Sequence, residues 1–193
     1  MSIIKEKLLL LRAQEKRPSW MSFAFINSGF QPQCRWISNP MLIEFTKTGM
    51  YRITTLEKER MILSIISDEL HESLKDNNQK KELSRLFPPG YLDKPEAEKD
   101  YQSMIHNELV TSHINALEIL KGSLIKPEVK EQELMEIMRA LNILRLSLGE
   151  RINLFESFQE ELAEADPNYD LWIIFQIIGQ MLASVVDSLQ QQI

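Results

Sequence analysis

Apolar and polar positions change period at Met41, and the first regular signal is short. Leu42-Ile43-Glu44-Phe45-Thr46 and Met50-Tyr51-Arg52-Ile53-Thr54 flank Lys47-Thr48-Gly49, which puts glycine where a three-residue loop needs positive φ. This pattern predicts a two-stranded β-hairpin. Thr54 and Glu57 then read as a capping box that opens a helix over about residues 56–74. Its apolar positions Ile62, Leu63, Ile66, Leu70 and Leu74 recur at helical spacing. A polar loop at 75–80 and a short helical piece lead to Arg85-Leu86-Phe87-Pro88-Pro89-Gly90-Tyr91, where two prolines and a glycine stop any helix.

Asp93, Pro95 and Glu96 supply a cap, a first-turn proline and a first-turn acid for a second helix running to about Lys121. Its predicted inner face is Tyr101, Ile105, Leu109, Ser112, Ala116 and Leu120. Pro127 is read as opening a third helix over 128–148, with Leu134, Ile137, Met138, Leu141, Leu144 and Leu148 inward and Gly149 as its stop. An acidic connector, Glu156 to Asp166, leads to Pro167 and an apolar helix at 168–189. The longest uncharged run, Leu171–Val186, has sixteen residues and includes Gln176, Gln180 and Ser184. A membrane span needs about twenty mostly apolar residues, so this helix is read as the centre of a core.

The fold expected from these elements is mainly α: a four-to-five-helix bundle, orthogonal or up-and-down, preceded by a short β-hairpin. Residues 42–193 form the helical domain of this reading. Residues 1–41 are a basic N-terminal extension whose order the pattern does not assign. Residues 1–17 of it suit a short amphipathic helix, while Pro18, Gly29, Pro32 and Pro40 interrupt the rest among Trp20, Phe23, Phe25, Phe30 and Trp36. The four leucines at 8–11 are too few for a signal-peptide core, so a cytoplasmic location is expected.

Composition narrows the chemistry. The 193 residues are 44% apolar and 26% charged, a globular balance. One cysteine, Cys34, excludes an internal disulfide framework and a cysteine-built zinc site. Of the six glycines the nearest two, Gly29 and Gly49, lie twenty positions apart, so neither a Walker loop nor G-x-G-x-x-G is present. Charge is uneven: residues 1–52 hold eight Lys/Arg against three Asp/Glu, and residues 53–193 hold fourteen against twenty-five. Nucleic-acid affinity rests mainly on Lys/Arg neutralising phosphates, so residues 42–193 are not expected to bind duplex DNA.

His106 and His113 are seven apart, two turns or roughly 10 Å along a helix, too far to share a metal. Asp68 and His71 resemble half of a di-iron motif, but the second half is missing and the wheel turns them away from the apolar face. They read as solvated surface, and no metal or cofactor is expected. No G-x-S-x-G elbow appears, so no catalytic residues are assigned. Cys34, beside Arg35, is the candidate redox residue. Having no second thiol in its chain, it can bridge only to another chain or a small thiol.

Arg145 falls inside the apolar stripe, between Met138 and Leu141. A buried unpaired guanidinium is very costly, so a carboxylate should meet it: Glu108 first, Asp170 second. The alternative is that its long stem snorkels to the rim.

Three blocks carry a resemblance. They are Arg85-Leu86-Phe87-Pro88-Pro89-Gly90-Tyr91, Arg139-Ala140-Leu141-Asn142-Ile143-Leu144-Arg145-Leu146-Ser147-Leu148-Gly149-Glu150-Arg151, and Tyr169-Asp170-Leu171-Trp172. In this order they resemble an actinobacterial family of oxidative-stress-responsive regulators (AosR-like), formerly a domain of unknown function, over about residues 42–190. The resemblance implies a non-enzymatic cytosolic transcription regulator acting by protein contact, with a sigma factor or RNA polymerase subunit as partner and no membrane. It leaves residues 1–41, and with them Cys34, outside, so a dithiol switch within one chain is impossible. The runner-up is a helical ligand-binding or enzymatic bundle with a polar site around Arg145.

Overall fold

The computed structural model describes residues 40–75, 83–126, 128–154, 162 and 165–191. The expected N-terminal helix, Cys34, Pro127 and most of the 75–80 and 156–166 connectors lie outside the described residues. From residue 40 onward the chain packs as one unit.

Strands β1 (Met41–Phe45) and β2 (Tyr51–Thr55) pair antiparallel, with Ile43 opposite Ile53 and Phe45 opposite Tyr51. Gly49 has φ +75°, which only glycine adopts cheaply, and its N–H donates to the Thr46 carbonyl at 3.0 Å. Helix α1 is Glu57–Lys75, α2 is Pro95–Ile125, α3 is Glu131–Arg151 and α4 is Tyr169–Gln190. The result is a mainly α bundle with a small antiparallel sheet ahead of it, as the periodicity predicts.

Three local expectations are corrected. The box at α1 is not Thr54 with Glu57. The Leu56 N–H donates to the Glu59 carboxylate at 2.9 Å, which places the box two residues later, and the helix starts at Glu57. Burial raises the Glu59 carboxyl above its ordinary value, partly offset by that hydrogen bond. The third helix does not begin at 128 either. Glu128–Val129 form β3, which pairs antiparallel with Arg52 and Tyr51 and makes a three-stranded sheet in the order β1-β2-β3. Helix α3 starts after it, where the Lys130 N–H donates to Glu133 at 2.7 Å.

Nor does Gly149 end α3. The helix runs to Arg151 and stops in a Schellman turn. Asn153 takes φ 51°, its N–H donates to the Glu150 carbonyl, and the Leu154 N–H donates to the Gly149 carbonyl. Gly149 is buried inside the last turns of α3. A Cβ at this position would lie 3.4 Å from the Phe175 ring of α4.

Helix α3 is the central element, packed against α4, α2 and α1, while β1 packs against α4. Leu134, Ile137, Leu141 and Leu144 of α3 are buried with Leu117 and Leu120 of α2, Ile178 and Met181 of α4, and Leu63 and Leu70 of α1. Each such side chain contributes about 1.5–3 kcal/mol by leaving water. Helix α4 is long and apolar enough to cross a membrane by length and composition, with mean hydropathy 1.5. In this fold its apolar residues Leu171, Ile174, Phe175, Ile178, Met181 and Val185 are buried in the protein.

Helix α2 departs from the predicted inner face. Only Ala116, Leu117, Leu120 and Ser123 are buried, all in its C-terminal part. Tyr101, Ile105 and Leu109 stay half-buried, because the 83–91 segment, rather than another helix, covers that end.

Candidate functional site

The first two resemblance blocks meet at one corner of the bundle. Residues 83–86 form a single 3₁₀ turn whose Leu83 and Leu86 are buried. Glu150, one residue before the end of α3, holds that turn. Its carboxylate accepts from the Ser84 N–H at 3.2 Å, the Ser84 hydroxyl and the Arg85 N–H at 3.2 Å. The Arg85 guanidinium donates to the Leu154 carbonyl at 2.8 Å, fastening the turn to the Schellman turn.

The Pro88–Tyr91 stretch then lies along α2. Glu98 accepts from the Tyr91 N–H at 2.7 Å and from the Gln102 amide at 2.7 Å. The Gln102 and Tyr91 donors hold the Glu98 carboxyl below the usual carboxylate range. Gly90 sits so close to Tyr101 that a Cβ would approach the ring to 2.7 Å, so the chain needs glycine here. Tyr91 meets Tyr101 edge-on at 5.9 Å. Tyr91, Leu92 and Met104 are left outward, with Leu92 84% exposed and Met104 75%.

Phe87 inserts toward α2 against both histidines, with ring centroids 4.7 Å from His106 and 5.7 Å from His113. His113 Nε2 lies 3.4 Å from the Leu86 carbonyl, and its Nδ1 is buried without a hydrogen-bond partner. Burial lowers the His113 pKa, with the positive field of Arg139 on α3 acting the same way and the Leu86 carbonyl opposing it. Arg139 itself bonds Ser112 at 2.8 Å and lies 3.3 Å from Glu136.

A native pKa below the unfolded value means the unfolded chain binds the extra proton. The neutral imidazole therefore contributes stability above the ordinary histidine value, and that stability is lost as pH falls through the lowered native value. Glu59 has the opposite sign, since its raised pKa costs stability as pH rises through it. Melting curves of the wild type and His113→Gln should thus converge as pH drops below about 6.5. Parallel curves down to the carboxylate range would remove His113 from the account.

Between the 84–87 turn and α2 runs a groove of about 600 Å³, which Ser84 and Phe87 line on one side and Lys99, Ser103, His106 and Asn107 on the other.

Arg145 forms no ion pair with Glu108 or Asp170 among the described residues. Its guanidinium lies 4.5 Å from the centroid of the Phe175 ring, and its Nε is buried without a hydrogen-bond partner against Gly179. Glu108 is exposed on α2. A π-face takes the place of the expected carboxylate, because Phe175 is the α4 residue that meets this station of α3. Arg145→Ala should therefore cost only about 1–2 kcal/mol, from the cation–π contact and the packed stem, rather than the larger loss of a buried ion pair. Denaturant titration checks this, and a loss above about 4 kcal/mol would require a paired charge after all.

A mostly buried ion pair stands elsewhere. Arg151 of α3 donates to Glu69 of α1 at 2.9 Å, with side chains 15% and 16% exposed. Asp68 and His71 lie at the seam between α1 and α2 rather than on a purely solvated face: Asp68 pairs with Lys121, and His71 Nε2 is 3.8 Å from Glu118. No group of three metal-ligating side chains occurs among the described residues. The third block opens α4, where Tyr169 stacks on the buried Trp172 at 5.8 Å.

The spacing of single residues signals none of Glu150, Arg151 or Phe87. What points to them is their place inside the blocks. No curated protein matches the chain, and no solved structure does. One family model, described as a domain of unknown function, matches residues 43–189, about three-quarters of the chain, a span that contains all three blocks. The protein is a member of that family, DUF2017.

Proposed function

We propose that the chain is a non-enzymatic regulatory module of the cytosol, similar to actinobacterial oxidative-stress transcription regulators, which works by binding a protein of the transcription machinery. A sigma factor or an RNA polymerase subunit is the partner. The observation that supports this most is the Tyr91–Leu92–Met104 surface. Its apolar side chains are exposed on a segment that Glu98, Gln102 and Glu150 hold by hydrogen bonds, so little conformational entropy would be lost on docking. Asp93, Glu96 and Asp100 flank it together with Lys94 and Lys99, which suits a partner with an apolar centre and a polar rim of both charges.

The test is gel filtration of the full chain with purified RNA polymerase core and with purified sigma subunits. Co-elution is expected, and Leu92→Asp with Met104→Asp should abolish it while leaving the helical signal intact. Failure of the wild-type chain to co-elute with any subunit at micromolar concentration would overturn the proposal.

A further inference from the structure

We infer that residues 87–91 form an acid-released flap. Neutral His113 holds the flap on α2, and a proton on that imidazole lets it lift while the 83–86 turn stays in place. The inference rests on the packing of this corner and not on the regulatory reading.

The segment from 83 to 91 is fastened unevenly. Its first half is anchored. Leu83 and Leu86 are buried, Glu150 accepts three hydrogen bonds from Ser84 and Arg85, and the Arg85 guanidinium reaches the Leu154 carbonyl. The second half is held more lightly. Pro88, Pro89, Gly90 and Tyr91 are exposed, and the two prolines have no N–H to donate. The Gln102 amide meets the Pro88 carbonyl at 3.4 Å, long for a hydrogen bond, and the Tyr91 N–H bonds Glu98. Tyr91 touches Tyr101 edge-on. The remaining hold is the Phe87 ring, which packs against His106 and His113. The groove that borders Phe87 and His106 gives this ring space to withdraw into.

Protonation of His113 works against that contact. Its Nε2 faces the Leu86 carbonyl at 3.4 Å, and its Nδ1 is buried with no hydrogen-bond partner. A neutral ring with its proton on Nε2 fits these surroundings, whereas a second proton puts an N–H and a charge where no acceptor waits. The 83–91 segment offers only the Leu86 carbonyl and the Phe87 ring. From α3 comes Arg139, of like charge, with Glu136 beside it at 3.3 Å. On α2 itself the positions one turn to either side are Leu109, Val110, Ala116 and Leu117, and His106 would add the same sign once protonated. Helix α1 meets α2 further along, where Asp68 pairs with Lys121 and His71 approaches Glu118.

Burial and Arg139 thus both disfavour the imidazolium, and withdrawal of Phe87 relieves the burial by letting water reach the ring. The open form therefore binds the proton more tightly than the closed form. As pH falls from about 6.5 toward the lowered native value, the open fraction rises by up to about ten-fold per pH unit.

The experiment is an NMR titration of the labelled full chain from pH 7.5 to 5.5, which follows the His113 ring and its through-space contacts to Phe87. The Glu98 carboxyl, held below the usual range, stays ionised in this window, so the Tyr91 hydrogen bond keeps its acceptor. The Phe87–His113 contacts are expected to fade as His113 titrates, with the Ser84 and Arg85 amides and α3 unchanged. Because the linkage is reciprocal, Phe87→Ala should raise the His113 midpoint by about half a pH unit or more, and Phe87→Leu should raise it less. In His113→Gln the Phe87–His106 contact should survive to pH 5.5. Phe87–His113 contacts that persist below the midpoint, an unmoved midpoint in Phe87→Ala, or parallel loosening of Ser84, Arg85 and α3 would each overturn the inference.

Discussion

Arg151→Ala should lower the unfolding free energy by about 3–4 kcal/mol. The Arg151–Glu69 pair ties the end of α3 to α1, and both side chains are about five-sixths buried. Removing the guanidinium takes a charge-assisted partner from the Glu69 carboxylate at the mostly buried seam between α1 and α3, and this loss accounts for most of the effect. The double variant Arg151→Met with Glu69→Leu should recover much of it, because two apolar side chains of similar volume avoid the desolvation cost altogether. Urea titrations of wild type, single and double variants measure both steps. A single variant within about 1 kcal/mol of wild type would mean that the pair behaves as a surface bridge.

Leu141→Ala should cost about 3–4 kcal/mol, through lost transfer free energy and the cavity left behind. Leu141 is wholly buried on the central helix, among the fully buried leucines that α2 and α3 contribute. The C-terminal end of α3 is held by the Arg151–Glu69 pair and the Glu150 contacts, so the site can collapse only partly. Leu141→Met keeps the volume and should cost less than about 1.5 kcal/mol. The contrast with Arg145, one turn further along the helix, is itself a check. Alanine at Leu141 should be more damaging than alanine at Arg145, by about 1 kcal/mol or more, if the latter only stacks on Phe175.

The helices were readable because each carries a long apolar stripe at 3.6-residue spacing. Periodicity found α1, α3 and α4 to within a few residues and found the hairpin through Gly49. It failed where tertiary contacts decide. A two-residue strand such as Glu128–Val129 carries no period at all, and only its pairing with β2 makes it a strand. Gly149 reads as a helix stop, since glycine is common after a last turn, but the left-handed residue is Asn153 and the helix runs through the glycine to Arg151. The inner face of α2 was overextended, because a sequence pattern cannot tell a helix neighbour from a loop neighbour.

The corner itself was visible only as blocks of residues, not as geometry. Arg145 stands out in the sequence as a charge in an apolar stripe; in the fold it is half-buried with its guanidinium over the Phe175 ring, a contact that leaves no mark in charge patterning. Glu150 and Arg151 drew no attention, since a polar pair at a helix end is the ordinary composition of a last turn. What distinguishes them is that the turn at 84–85 and the face of α1 come to meet them.

The most direct test of the regulatory reading is hydrogen exchange of the full chain, read by mass spectrometry, with and without the RNA polymerase subunit that it binds. The proposal predicts added protection over residues 88–107, centred on Tyr91, Leu92 and Met104, and little change in α3. No protection there in the presence of polymerase core and sigma subunits, or protection confined to another face, would contradict it.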